Sequence, residues 1–203
     1  MMSVLSIKRC MDSGDILGSL LALQTIEDID SVEEHLQKST ILNYAVKNNA
    51  TDLIYYIVDR GANPNLLVGR HCSSPLQFAS RRGYAEVCTA LIDVGADVNK
   101  VDDVNWSPLH FAAYWGHTEV AKVLIEAGAK LNVQTSNKET PLHIAVNKTR
   151  VNVVQTLVSA GANLDVLDHR NRTPLRISDL CEDFAKRSEI RKILSDPLYR
   201  SGA

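Results

Sequence analysis

Pro75, Pro108, Pro141 and Pro174 stand at equal intervals of 33 residues, and each is followed by leucine: Leu76, Leu109, Leu142 and Leu175. A Gly-Ala step keeps the same time at Gly61, Gly95, Gly128 and Gly161, at intervals of 34, 33 and 33, so one extra residue falls between Gly61 and Pro75. A regular period of this length constrains the fold more than any local propensity, because each copy must be one supersecondary unit laid against the next.

One period, Asn105 to Asn132, shows how the unit folds. Ser107-Pro108 predicts a helix start: the hydroxyl caps orphan N–H groups, and proline at the first helical position lacks only an N–H that would go unused. Leu109, Ala112 and Ala113 make a short apolar stripe before Gly116 breaks the helix. A second helix, about Glu119 to Glu126, is expected to place Val120, Val123, Leu124 and Ala127 on one face, and Gly128 ends it in the left-handed region. Neither helix can bury its stripe alone, so the expectation is an all-α solenoid whose stability sums over neighbouring units.

Ser107-Pro108-Leu109-His110-Phe111-Ala112 and Thr140-Pro141-Leu142-His143-Ile144-Ala145 match T-P-L-H-x-A, so the chain resembles the ankyrin-repeat family. The resemblance implies about six helix-turn-helix units in a single domain over residues 1–203: an N-terminal cap repeat over 1–38, four central repeats over 39–172, and a C-terminal cap repeat with tail over 173–203. The edges are degenerate. Thr40-Ile41-Leu42-Asn43-Tyr44-Ala45 lacks the proline and histidine, and Thr173-Pro174-Leu175-Arg176-Ile177-Ser178 opens regularly and then departs from the pattern. A polar helix is expected at about Asp179 to Leu194, and a monomer because both ends read as caps.

Composition narrows the function. Twenty-two Lys and Arg against 24 Asp and Glu leave a formal charge of −2, and a pI near 6.3 argues against nucleic acid as the partner. No run of about 18 apolar residues suits a membrane span. Cys10, Cys72, Cys88 and Cys181 are scattered without a C-x-x-C pair, which points to a reducing compartment rather than to disulfides or zinc. The cytoplasm is the expected location, with the nucleus also open.

The conspicuous polar residues read as framework. His110 and His143 recur once per repeat, three residues after Ser107 and Thr140, which suits hydrogen bonding within the motif better than a metal. No cysteine stands with a positioned His and Asp, so no catalytic residue, metal or cofactor is expected. The resemblance implies that Asn99 and Asn132, each eight residues after a leucine, brace the inter-repeat loop, and it makes them candidates for β-hydroxylation.

The resemblance also implies that loop tips and the exposed side of each first helix form a concave surface that grips other proteins. Positions left free by the motif are then informative. Trp106, Tyr114 and Trp115 fall in a single repeat and include both tryptophans of the chain; interface hot spots are rich in such residues. Seven cations, Lys47, Arg70, Arg81, Arg82, Lys148, Arg170 and Arg172, face only Asp103 and Glu139 among these positions, a stripe of +5 on a chain of −2. His71 belongs to the same set. The expected function is a non-enzymatic adaptor that holds an acidic or phosphorylated extended segment of a partner protein. The alternatives are an inhibitory or targeting subunit that occludes an enzyme or transcription factor, and a ubiquitin-ligase substrate receptor.

Overall fold

Ser74, Ser107, Thr140 and Thr173 hold extended backbone immediately before a proline and begin four of the helices. The computed structural model describes residues 9–10, 13, 15, 18, 41–67, 73–196 and 198, so the expected N-terminal cap repeat over 1–38 lies almost wholly outside them. Ten helices follow among the described residues: α1 (Ile41–Lys47), α2 (Thr51–Asp59), α3 (Pro75–Arg82), α4 (Ala85–Asp93), α5 (Pro108–Trp115), α6 (Thr118–Glu126), α7 (Pro141–Asn147), α8 (Val151–Ser159), α9 (Pro174–Ser178) and α10 (Phe184–Ser195).

They form pairs: α1 with α2, α3 with α4, and so on to α9 with α10. The chain divides into two compact units, Met1–Asp102 and Asp103–Ala203. Within the first, α1 packs on α3 and α2 on α4; within the second, α5 packs on α7, α7 on α9, α6 on α8 and α8 on α10. First helices therefore layer on first helices, and second on second, because each short stripe needs a neighbour's to be covered.

The core follows the period. Leu76, Leu109 and Leu142 are fully buried, as are Ala79, Ala112 and Ala145 three residues on. The second helices differ from expectation in register. In α6 the buried residues are Val120, Ala121 and Leu124, whereas Val123 and Ala127 are half-buried. The same i, i+1, i+4 set recurs as Leu53, Ile54 and Ile57, as Val87, Cys88 and Leu91, and as Val153, Val154 and Leu157. Within each unit a second helix touches both its own partner and a neighbouring second helix, so its covered arc turns towards i+1. The C-terminal helix also starts later than expected, at Phe184, because the Asp183 carboxylate accepts the Lys186 N–H (3.1 Å) and caps it.

The caps carry the link from one repeat to the next. Ser74 N–H donates to the Gln77 side-chain carbonyl (2.6 Å) while the Ser74 hydroxyl accepts Gln77 N–H (3.2 Å), a closed capping box. His110 and His143 hold the equivalent place. Ser107 N–H donates to His110 Nδ1 (3.0 Å) and Thr140 N–H to His143 Nδ1 (3.2 Å). That puts each ring proton on Nε2, which donates to the Glu139 carbonyl (3.2 Å) and the Arg172 carbonyl (3.1 Å). Gln77 performs the same reach with its amide, to the Lys100 carbonyl (3.1 Å).

Candidate protein-interaction surface

Trp106, Tyr114, Trp115 and Lys148 come together in the second unit. The α5 helix sets Tyr114 and Trp115 at its carboxyl end, where the left-handed Gly116 (φ +82°) turns the chain away. Trp106, just before the helix, lies across its side: ring centroids are 5.1 Å from Phe111, 5.7 Å from Tyr114 and 6.0 Å from His110. Tyr114 meets Trp115 edge-on at 5.3 Å, and Lys148 Nζ from the next repeat stands 4.4 Å from the Tyr114 centroid. Trp106 and Tyr114 are half-buried, whereas Trp115 is 48% exposed. Trp106 therefore supports the cluster, and Trp115 presents most of the open ring.

Arg150 is the residue that sequence reasoning missed. Its Nε donates to the Tyr114 carbonyl (3.1 Å), and its stalk lies where a Cβ on Gly116 would be, 2.7 Å from its Cδ. The signal was present in the period: Ala50, Tyr84, His117 and Arg150 occupy equivalent turns between paired helices, and a cation appears in only one of them. Trp115, Gly116, Thr149, Arg150, Asn152 and Lys186 contribute to the lining of a shallow cleft of about 260 Å³.

The remaining expected contacts are differently placed. In the first unit, Arg81 and Arg82 are exposed and both guanidinium groups stand over the Phe78 ring, 5.6 and 5.4 Å from its centroid. Arg70 and His71 lie outside the described residues. Asp103 is exposed at a loop tip. Arg170 is exposed and its Nε donates to His169 Nε2 (3.2 Å), while His169 Nδ1 donates to the Asn137 carbonyl (3.0 Å). Arg172 is committed elsewhere: its Nη2 and Nε reach Asp168 Oδ2 at 2.7 and 2.9 Å.

Asp168 is 2% exposed, and its Oδ1 also accepts the backbone N–H groups of Arg170 and Arg172. Burial alone would raise its carboxyl, but the Arg172 side chain, those two N–H groups and the guanidinium charge bring it down to about 2. One repeat earlier Thr135 does the same work with its hydroxyl, accepting from Asn137 and Glu139 N–H at 3.2 Å each. Arg172 is thus a brace for the loop tip and leaves the basic stripe one charge poorer.

Asn132 Oδ1 accepts Asn163 N–H (2.9 Å) and so ties adjacent loops, as Asn65 Oδ1 does for Asp97 N–H (2.6 Å). Asn99 N–H donates to Asp97 Oδ1 (2.9 Å). His110 is fully buried; burial pushes it down to about 4, against the pull of the Glu139 and Val133 carbonyls. His143 is lowered for the same reason. Both rings are neutral framework. Cys88 is buried, and its thiol is pushed up to about 12 by burial despite the Ser80 hydroxyl beside it. Among the described residues no helix is long and apolar enough to cross a membrane.

The chain matches the family described as ankyrin repeats (3 copies) over residues 9–102, 42–135, 76–168 and 109–194. It is 36% identical over 63 residues to palmitoyltransferase ZDHHC17 of Homo sapiens, covering 31% of this chain and 10% of that protein. It is 31% identical over 75 residues to glycerophosphocholine phosphodiesterase gde1 of Schizosaccharomyces pombe, covering 37% of this chain and 7% of that protein. Palmitoyltransferase Hip14 of Drosophila melanogaster is 34% identical over 58 residues, 29% of this chain and 9% of the other. The chain thus spans a tenth or less of these relatives, and what it shares with them is their ankyrin region rather than their catalytic regions. Ankyrin repeats mark protein–protein interaction modules, and the fold is typically non-catalytic. With the family match reaching from residue 9 to residue 194 and the helix pairs laid in step with the 33-residue period, this chain belongs to the ankyrin-repeat family.

Proposed function

We propose that this chain is a non-enzymatic adaptor that holds an extended, acidic segment of a partner protein, with the aromatic cluster of its second unit as the anchor. The observation that carries the reading is Trp115: an indole 48% exposed, held edge-on by Tyr114, whose own ring is occupied by Lys148. An exposed, rigid aromatic flanked by a cation suits an apolar side chain followed by an acidic one, and the rigid frame leaves the ordering cost to the ligand. Within the same unit Lys148 stands over the Tyr114 ring beside the anchor, which supports an acidic rather than a neutral partner.

Trp115→Ala is the direct test. Trp106 is the poorer choice because its ring packs on His110, whose caps hold α5. Truncating a hot-spot tryptophan costs about 2 kcal/mol or more, roughly 30-fold in affinity. A partner recovered by affinity purification and then titrated against purified wild-type and Trp115→Ala chains should show that loss at unchanged circular dichroism. Equal affinities would overturn the assignment.

A further inference from the structure

The cleft beside Trp115 is chemically one-sided. Two cations, Arg150 and Lys186, line it, and no carboxylate does. Lys186 Nζ stands 3.5 Å from Asp183, but both side chains are about half exposed, and a pair in water contributes little and separates readily. Arg150 is set in advance. Its Nε is used by the Tyr114 carbonyl, its stalk fills the space that Gly116 leaves, and its Nη groups have no protein acceptor among the described residues. A guanidinium held in this way can meet a carboxylate without losing the rotamer freedom that a loose arginine would lose. Val151, Asn152 and Val153, the first turn of α8, complete the lining, so the helix dipole adds to the same sign. At about 260 Å³ the cleft is shallow and smaller than the roughly 300–1,000 Å³ of small-molecule sites, and it has room for an acidic side chain.

We infer that this cleft is the specificity pocket of the interaction surface, taking the carboxylate side chain of an Asp or Glu in the bound segment while a neighbouring apolar residue of that segment lies on Trp115. This rests on the proposed function and sharpens it: an acidic stripe anywhere on the partner is not sufficient, and the acid must sit within a few residues of the apolar anchor. Arg150 reads the carboxylate and Lys186 adds charge.

The test is a random twelve-residue peptide library displayed on phage and selected on the full chain, followed by titration of the best synthetic peptides. The wild-type pool should be enriched in Asp or Glu at a constant short spacing from an aromatic or aliphatic residue. Lys186→Glu, at an exposed site where circular dichroism should stay unchanged, should weaken these peptides about tenfold. Replacing the peptide's acid by Gln should cost a similar factor on the wild type and much less on Lys186→Glu. Arg150→Lys, which keeps the charge but loses the planar fork, should also weaken them. Peptides that need Trp115 but show no acidic enrichment, or that bind Lys186→Glu as well as wild type, would overturn the pocket and leave the anchor standing. Failure to select any peptide sensitive to Trp115→Ala would remove the anchor and the pocket together.

Discussion

His110→Gln should make the protein less sensitive to acid without changing how it folds. The buried ring is held at about 4, against an unfolded value of 6.5. Because the folded value lies below the unfolded one, the neutral ring contributes stability that is complete above pH 6.5 and is lost as pH falls towards 4. Between pH 7 and pH 5 the unfolded chain takes up a proton at this site that the folded chain refuses, which amounts to about 2 kcal/mol. Glutamine is the instructive replacement. Gln77 closes the same capping box with its side-chain carbonyl and reaches the next loop with its amide, so the variant should keep every bond and lose only the titration. Urea unfolding followed by tryptophan fluorescence reports locally, since the Trp106 centroid is 6.0 Å from the His110 ring. With an m value of about 2 kcal/mol/M, the wild-type midpoint should fall by roughly 1 M urea more than that of His110→Gln between pH 7 and pH 5. His143, lowered in the same direction, shifts both proteins and cancels in that difference. Equal shifts in the two proteins would refute the reasoning, as would a variant that loses several kcal/mol already at pH 7.

Three further outcomes are expected. Thr149 holds φ +53° at the turn where Gly83 and Gly116 stand in neighbouring repeats; Thr149→Gly should therefore raise stability by about 1 kcal/mol in chemical denaturation, since a β-branched residue in this region is strained. Arg172→Ala should cost about 2 kcal/mol by leaving the buried Asp168 carboxylate with its two backbone donors alone. Its cost should shrink in the double variant with Asp168→Asn, and equal costs in the two backgrounds would count against the brace. Iodoacetamide at neutral pH should leave Cys88 unmodified in the native protein and alkylate it once urea unfolds the chain, as read by peptide mass.

Much of this molecule is written in short-range chemistry. A Ser or Thr before proline caps a helix through N–H groups two or three residues away, and a His or Gln three residues on closes the box; such contacts need only local backbone, so the period, the helix starts and the framework role of His110 and His143 are legible from the chain alone. The clustering of Trp106, Tyr114 and Trp115 in one repeat is legible too. Their differing exposure is not, because whether a ring closes over Phe111 or stands open depends on how neighbouring elements cover the helix. The same limit explains the register of the second helices, whose buried arc is chosen by two neighbours at once. Arg172 and Arg150 make the point most sharply. As letters both are free cations; in the fold one is bound to a buried aspartate at a loop tip and the other lies along a glycine, bonded to a carbonyl 36 residues earlier. Residues a repeat apart in sequence become neighbours only through stacking, and stacking decides which charges are left for a partner.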